Sequence, residues 1–316
     1  MCGLLCIHFR ITTRKSTVCS NAIEQQQIFR PASKYTNAEP RILSNPSEPL
    51  VTVYLPTRNR RDSLDHAIES IFNQTWNSIE LIVVDDASTD ATAELLSRIQ
   101  KKRSFRVIRN ETPLGAAKSR NMAISQAGGE FITGLDDDDL WMPRRIKLMI
   151  KEFRDGFSGV SSNDLMDYGK RILRWKKRKI ITHQDLLYYN CAGNQIFTRT
   201  KYLQELGGFD ESLSAAQDYD LWIRLTEAYG PIINAPYLLQ TVNMRSERDS
   251  ITTSERKMEG YQACFEKHRS KMTPKQISYQ QYRLNLAAGV KPSWIELLRS
   301  VPANLIHKEI KRRIFL

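Results

Sequence analysis

Leu50-Val-Thr-Val-Tyr-Leu55, stopped by Pro56 and followed by Leu64, Ala67, Ile68, Ile71 and Phe72 at helical spacing, reads as a strand and then a helix. The unit repeats. Ile79-Glu-Leu-Ile-Val-Val84 is a second apolar strand, with N-cap candidates Ser88-Thr89-Asp90 and a helical face of Leu95, Leu96 and Ile99 behind it. Phe105-Arg-Val-Ile108 gives a third strand, Gly115 to Ala127 a third helix, and Phe131 to Leu135 a fourth strand. Strands alternating with helices predict an α/β fold with a mostly parallel sheet flanked by helices and joined by right-handed crossovers. Ligands of such sheets bind beyond the carboxyl ends of the strands. That rule selects three places: Pro56 to Asn59, Asp85-Asp86, and Asp136 to Asp139.

Further along, Arg144 to Phe153 reads as a helix, Val160 as part of a strand, and Lys170 to Lys179 as a strand or hairpin. A helix follows Thr182, another spans Thr200 to Leu206, and Gly207-Gly208-Phe209-Asp210 is a turn. Gln217 to Tyr229 is an amphipathic helix with Leu221, Trp222 and Leu225 inward. These elements divide the chain into a polar N-terminal extension (1–48), an α/β domain (49–250) and a helical, basic C-terminal extension (251–316).

The composition is that of a globular protein: 316 residues, 41% hydrophobic and 26% charged. Collagen, low-complexity disorder and a small disulfide scaffold are excluded. The longest early apolar run, Leu4 to Phe9, is far short of a membrane span, and the first basic residue, Arg10, comes too late for a secretory leader. The expected location is cytoplasmic. Cys2, Cys6, Cys19, Cys191 and Cys264 form no CxxC pair, so they read as reduced structural thiols. The net charge of +12 is clustered, at Lys170 to Lys179 and at Lys308 to Arg313. No nucleic-acid-binding motif accompanies it, so nucleic acid is not an expected partner.

Leu135-Asp-Asp-Asp-Asp-Leu140 is the most informative segment. Four adjacent carboxylates repel one another and are tolerated when solvated or when a cation neutralises them. A solvated turn in which Asp139 caps the next element is the plainer reading. Its place at a strand's carboxyl end, beside a second acidic pair, favours the other: Mg²⁺ or Mn²⁺ held by one or two carboxylates and completed by substrate phosphates. No GxxxxGK[ST] and no GxGxxG follows the first strand, which weakens kinase and dinucleotide readings. Asp85 or Asp86 could face a base N–H or open an Asx turn. Lys118 and Arg120 lie near a helix start where phosphate oxygens are favoured, although Lys118 reads better as solvated surface.

The ordered series Val51 to Asn59, Gln74-Thr75, Glu80 to Asp90, Gly115 to Asn121, Leu135 to Pro143, Gly207 to Asp210 and Gln217 to Leu225 resembles family-2 inverting glycosyltransferases of the GT-A (Rossmann-like) fold. The resemblance covers roughly 50–237 and implies a nucleotide-sugar donor, most often UDP-linked. It places Asp86 at the uracil, with Pro56, Thr57 and Asn59 beside it and Asp85 in support. The family's acidic motif maps to Asp136-Asp137-Asp138, with Asp138 as direct metal ligand and Asp136 towards the ribose or metal waters. Arg120 falls close to the nucleotide, and the general base maps to Asp218. Two departures stand out: Gln217 occupies a position where the family commonly has Glu, and no histidine lies between Leu238 and Ile251 to assist the metal.

An inverting transfer needs a base opposite the leaving diphosphate. Asp218 suits this because it lies on a segment separate from the acidic loop, although a helix dipole would lower its pKa. Asp220 is expected to be solvated or salt-bridged, Trp222 to be core, and His66 and His183 to be surface or capping residues. The basic run at 170–179 is read as a contact for a phosphorylated, lipid-linked saccharide acceptor or as a solvated strand pair. The apolar and basic stretch from Trp294 to Phe315 suits an anionic membrane surface or packing on the catalytic domain. The expected reaction moves a hexose or N-acetylhexosamine from a UDP-sugar to a growing cell-surface glycan such as lipopolysaccharide or capsule. A non-catalytic nucleotide-sugar or polyanion binding protein is the alternative, and it would not need Asp218.

Overall fold

The computed structural model describes residues 48–245 and 254–315. The expected extension before residue 48, with Cys2, Cys6 and Cys19, lies outside the described residues. The donor-side half is built as the alternation predicts: β1 (Val51–Thr57), α1 (Arg61–Phe72), β2 (Ile79–Asp85), α2 (Thr92–Gln100), β3 (Arg106–Arg109), α3 (Ala116–Ser125) and β4 (Phe131–Gly134). β1 pairs in parallel with β2 on one side and β4 on the other, so the strand order β3-β2-β1-β4 reverses direction of growth at β1. A crevice for ligand opens at such a switch point. Thr57 lies level with Asp85 in the register, which brings the carboxyl ends of β1 and β2 to one edge.

The second half is mixed. It comprises β5 (Leu140–Trp141), α4 (Arg145–Glu152), β6 (Gly159–Asp167), β7 (Ile172–Trp175), β8 (Ile180–Ile181), α5 (His183–Leu186), β9 (Phe197–Arg199), α6 (Thr200–Glu205), α7 (Gln217–Tyr229) and β10 (Ile232–Asn243). The long pairing of β6 with β10 is parallel, whereas β9 inserts antiparallel between β4 and β6, and β5, β7 and β8 add short antiparallel edges. Two parallel blocks, β3-β2-β1-β4 and β6-β10, are thus joined through the antiparallel β9 at the middle of the sheet. The basic run contains β7, which pairs antiparallel with β6 as expected of a strand or hairpin, and β8 begins just after it.

Two apolar layers sandwich the sheet. One packs Leu64, Ile68 and Ile71 of α1 and Leu95, Leu96 and Ile99 of α2 against Val51, Val53, Leu55, Leu81 and Val83. The other packs Tyr54, Ile82 and Val84 against α3 and against Leu221, Trp222 and Leu225 of α7. Trp222 is fully buried, as its helical position predicts. Four helices follow: α8 (Ser254–His268), α9 (Pro274–Ala287), α10 (Trp294–Ser300) and α11 (Ala303–Phe315). The first two are not a separate layer, because Cys264, Phe265, Met272 and Leu284 belong to the same core as α7, while α10 and α11 pack on α9 in a cluster of their own. No described helix is long and apolar enough to cross a membrane.

Candidate active site

The loop after β1 is fastened by Asn59, which sits in a left-handed conformation (φ 53°). Its backbone N–H donates to Ser88 Oγ (2.9 Å), and its Oδ1 accepts from the Thr89 N–H (2.8 Å). The residues expected to cap α2 thus divide their work: Ser88 and Thr89 hold Asn59, while Asp90 Oδ1 accepts the Thr92 N–H at the helix start (3.0 Å). Asn59 ties two loops together and does not line the cavity below. Asp85 is likewise internal, accepting from the Ser88 N–H (2.9 Å) with Arg109 at 3.7 Å.

Asp86 reaches the cavity wall. It accepts the N–H groups of Leu114 (2.7 Å) and Gly115 (2.9 Å) and the Asn110 amide (2.8 Å). Gly115 precedes α3 at φ 90°, a conformation open to glycine, which lets two successive N–H groups turn towards one carboxylate.

The acidic loop follows β4, and its four carboxylates have different partners. Asp136 accepts from Arg120 (3.0 Å), Gln195 (3.1 Å) and Asn194 (2.9 Å), so three of its roughly four lone-pair positions are filled. Asp139 is buried, and takes Asn194 (2.9 Å), Gln240 (2.8 Å) and the Asn243 N–H (2.9 Å). It is a structural brace. Asp137 and Asp138 remain turned to the cavity. Asp137 has Arg60 at 3.6 Å, while its buried Oδ2 has no hydrogen-bond partner. Burial, with the charges of Asp138 and Asp136, pushes its carboxyl up to about 7. Asp138 is also raised, by burial first and then by Asp136. A divalent cation would relieve this strained anionic pair. No group of three His, Cys, Asp or Glu side chains that could hold a metal exists among the described residues. Two carboxylates facing the cavity would leave the other positions of such an ion to substrate phosphates and water.

Close packing positions this loop. A Cβ at Gly134 would lie 2.2 Å from the Tyr54 ring and 2.2 Å from Gln195 Oε1. The Tyr54 hydroxyl donates to Gln195 Oε1 (3.0 Å), which turns the Gln195 amide nitrogen towards Asp136.

Asp218 occupies the first turn of α7, after Ala216 in a left-handed conformation (φ 60°). Burial pushes its carboxyl up to about 6, against the lowering from the Tyr219 N–H and Arg120. The depressed pKa expected from the helix dipole is therefore not what the fold produces, because desolvation outweighs it. Asn190 donates to Asp218 Oδ2 (3.0 Å), and its own Oδ1 accepts the N–H groups of Ala192 and Gly193 (both 3.2 Å), which fixes the amide's orientation. Arg120 links the two halves of the site: one nitrogen is on Asp136 and another on Gln217 Oε1 (3.3 Å), with the guanidinium over the Phe209 ring. Gln217 thus keeps a hydrogen-bonding role without a charge.

One cavity of about 690 Å³ joins these groups. Of the residues singled out in the sequence, Pro56, Thr57, Asp86, Arg120, Asp136, Asp137, Asp138 and Asp218 line it, while Asn59 and Asp85 stand behind it. No residue of 170–179 lines it. Lys177 of that run instead points inward, with its side chain 2% exposed and its Nζ 2.6 Å from Asp164. Asp220 is salt-bridged but not solvated: it is fully buried with Arg224, Lys267 and His268. Asn190, Asn194 and Gln195 carry no motif, and Tyr261 of α8 reaches the cavity from beyond the resemblance.

The fold is shared with a solved structure of S. aureus TarS 1-349 in complex with UDP-GlcNAc, at a TM-score of 0.59, 21% identity, 75% of this chain and 73% of that one. This is the GT-A fold, the architecture of a class of glycosyltransferases. The family model "Glycosyl transferase family 2" matches residues 52–209. A protein of Escherichia coli (strain K12), whose name places it among glycosyl transferases of colanic acid biosynthesis, is 31% identical over 80% of this chain and 93% of its own length. A Campylobacter jejuni protein named GalNAc(5)-diNAcBac-PP-undecaprenol beta-1,3-glucosyltransferase is 27% identical over 65% of this chain and 67% of its own length. The chain belongs to glycosyl transferase family 2.

Proposed function

We propose that this glycosyltransferase moves a hexose or N-acetylhexosamine from a UDP-sugar to a hydroxyl of a growing cell-surface glycan, with inversion, on the cytoplasmic side of the cell membrane. The reading rests on one observation: the acidic loop and Asp218 come from separate segments and face a single cavity. The relatives named for colanic acid and for an undecaprenol-linked glycan support a lipid-linked or extracellular-polysaccharide acceptor. TarS with its UDP-GlcNAc supports the donor class.

Asp86, Pro56 and Thr57 form the wall that would receive the uridine base, and Asp136 the edge nearest the ribose. Asp138, with Asp137 beside it, would hold Mn²⁺ or Mg²⁺ against the diphosphate. The ion would act as a Lewis acid towards the leaving group. In the displacement, the acceptor oxygen forms its bond to the anomeric carbon as the bond from that carbon to the diphosphate oxygen breaks. The hydroxyl proton passes to Asp218, whose pKa of about 6 leaves it ionised at neutral pH yet basic enough to accept it. Asn190 holds one carboxylate oxygen and leaves the other for the proton.

A donor screen reading UDP release with and without Mn²⁺, on the parent protein and on Asp138→Ala, tests this. Metal-stimulated turnover that the variant loses is expected. Equal turnover of both proteins without metal would overturn the metal assignment, and a product of retained anomeric configuration would overturn the single displacement.

A further inference from the structure

The last two helices sort their apolar residues onto two faces. Leu297, Val301 and Leu305 are buried against Tyr279 and Tyr282 of α9. Trp294, Ile295 and Leu298 of α10 remain 55%, 62% and 63% exposed, and Val290 just before the helix 55%. Positions 294, 295 and 298 adjoin on a helix of 3.6 residues per turn, so they form one contiguous face rather than scattered side chains.

Charge decides what fits that face. From 290 to 313 the sequence carries six cations (Lys291, Arg299, Lys308, Lys311, Arg312, Arg313) and two acids (Glu296, Glu309), so 6 − 2 gives +4. Glu309 is buried and accepts the Tyr279 hydroxyl (2.8 Å), so its charge is turned inward. Lys291 and Arg299 are exposed at the two ends of the apolar face, and Lys275 Nζ sits on the Arg299 carbonyl (2.5 Å) beside it. A second copy of this chain docked by a two-fold axis would bring these same cations together. An anionic surface would neutralise them. Apolar side chains on one helical face with cations around it are the make-up of a helix that lies in a lipid interface.

We propose that the Trp294–Ile295–Leu298 face of α10 docks this protein on an anionic phospholipid surface, with the three side chains at headgroup depth and Lys291 and Arg299 against lipid phosphates. This inference stands apart from the donor and acceptor reading, since its readout is binding and not turnover.

The test is co-sedimentation of the full chain with phosphatidylcholine vesicles and with vesicles enriched in phosphatidylglycerol, at low and high salt. Binding to the anionic vesicles, weakened by salt, is expected. The double variant Ile295→Ser, Leu298→Ser should bind at least about tenfold more weakly, as the loss of two buried aliphatic side chains implies, with an unchanged melting temperature. Lys291→Glu with Arg299→Glu should abolish the preference for the anionic lipid. Equal sedimentation of parent and double variant, or no sedimentation of the parent with either vesicle, would overturn the proposal. So would a dimer in sedimentation equilibrium that the double variant dissociates, which would assign the face to a second copy.

Discussion

At the scale of single residues, the site turns on how burial and neighbours treat like carboxylates. Asp218 and Asp220 are two residues apart on α7, yet burial pushes Asp218 up to about 6, while Arg224, Lys267 and His268 overcome burial and hold Asp220 well below the usual carboxylate range. The family resemblance singles out Asp218 in the sequence but cannot show this, because depth in a cavity is a tertiary property. Since the raised pKa makes the folded state bind a proton more tightly than the unfolded chain, Asp218 costs stability once pH exceeds the unfolded value, and the full cost is reached above about 6. Asp218→Asn should therefore raise stability at pH 7.5 by on the order of 1–3 kcal/mol, read in denaturant unfolding, while cutting transfer by about 10²–10⁴-fold. If Asp218 is the general base proposed above, parent activity should fall as pH drops through about 6, where its carboxylate becomes protonated. Asn190 was illegible in the sequence, being one amide in an irregular stretch. Because it donates to the ionised Asp218, Asn190→Ala should move the acidic limb of the kcat profile to higher pH, by less than about one unit for a hydrogen bond of this kind. The donor KM should stay unchanged; an unmoved limb would reduce Asn190 to a loop brace.

At the scale of elements, the alternating half was legible from hydrophobic period alone, and the later half only in part. β10 is not legible in the sequence because Pro236 interrupts it: the register with β6 shifts between Ala235 and Leu238, and a proline at a bulge breaks a strand's apolar pattern. β9, three residues long, offers too little period to read. The basic run is legible as a strand or hairpin, but its charges are not uniform in role. Antiparallel pairing sets Asp164 of β6 opposite Trp175 of β7, and Lys177 folds back beside that tryptophan ring to meet Asp164. No spacing rule predicts that contact, since it depends on the register. Truncating Lys177 would strand a buried carboxylate, so Lys177→Ala should cost about 3–5 kcal/mol in denaturant unfolding. The neighbouring exposed Lys176→Ala should stay within about 0.5 kcal/mol. Similar losses for both would mean that the Lys177–Asp164 pair contributes nothing of its own.

At the scale of the whole molecule, the helices beyond the family match determine where α7 sits. Phe265 and Cys264 of α8 fill the core beneath α7, and Asp220 joins the two helices through Lys267 Nζ (2.7 Å) and His268 Nε2 (2.8 Å), with Arg224 Nε at 2.9 Å on its other oxygen. The C-terminal region was read from sequence as an extension because nothing in an amphipathic pattern says which surface it covers. Its packing makes the orientation of Asp218 depend on a cluster located behind it. The sign of its pH dependence follows from the lowered pKa of Asp220: the stabilisation is complete above the unfolded carboxylate value near 4 and is lost as pH falls towards the lower folded value. Asp220→Asn removes the charge that three cationic or imidazole groups share, and should destabilise the fold by about 3 kcal/mol or more at pH 7. Thermal unfolding between pH 3 and 7 should show the parent losing stability below about pH 4 more steeply than the variant, so that the gap between the two curves narrows by pH 3 without closing. Parallel curves would show that Asp220 acts by packing alone, and α7 would then be held by its apolar face rather than by this buried charge.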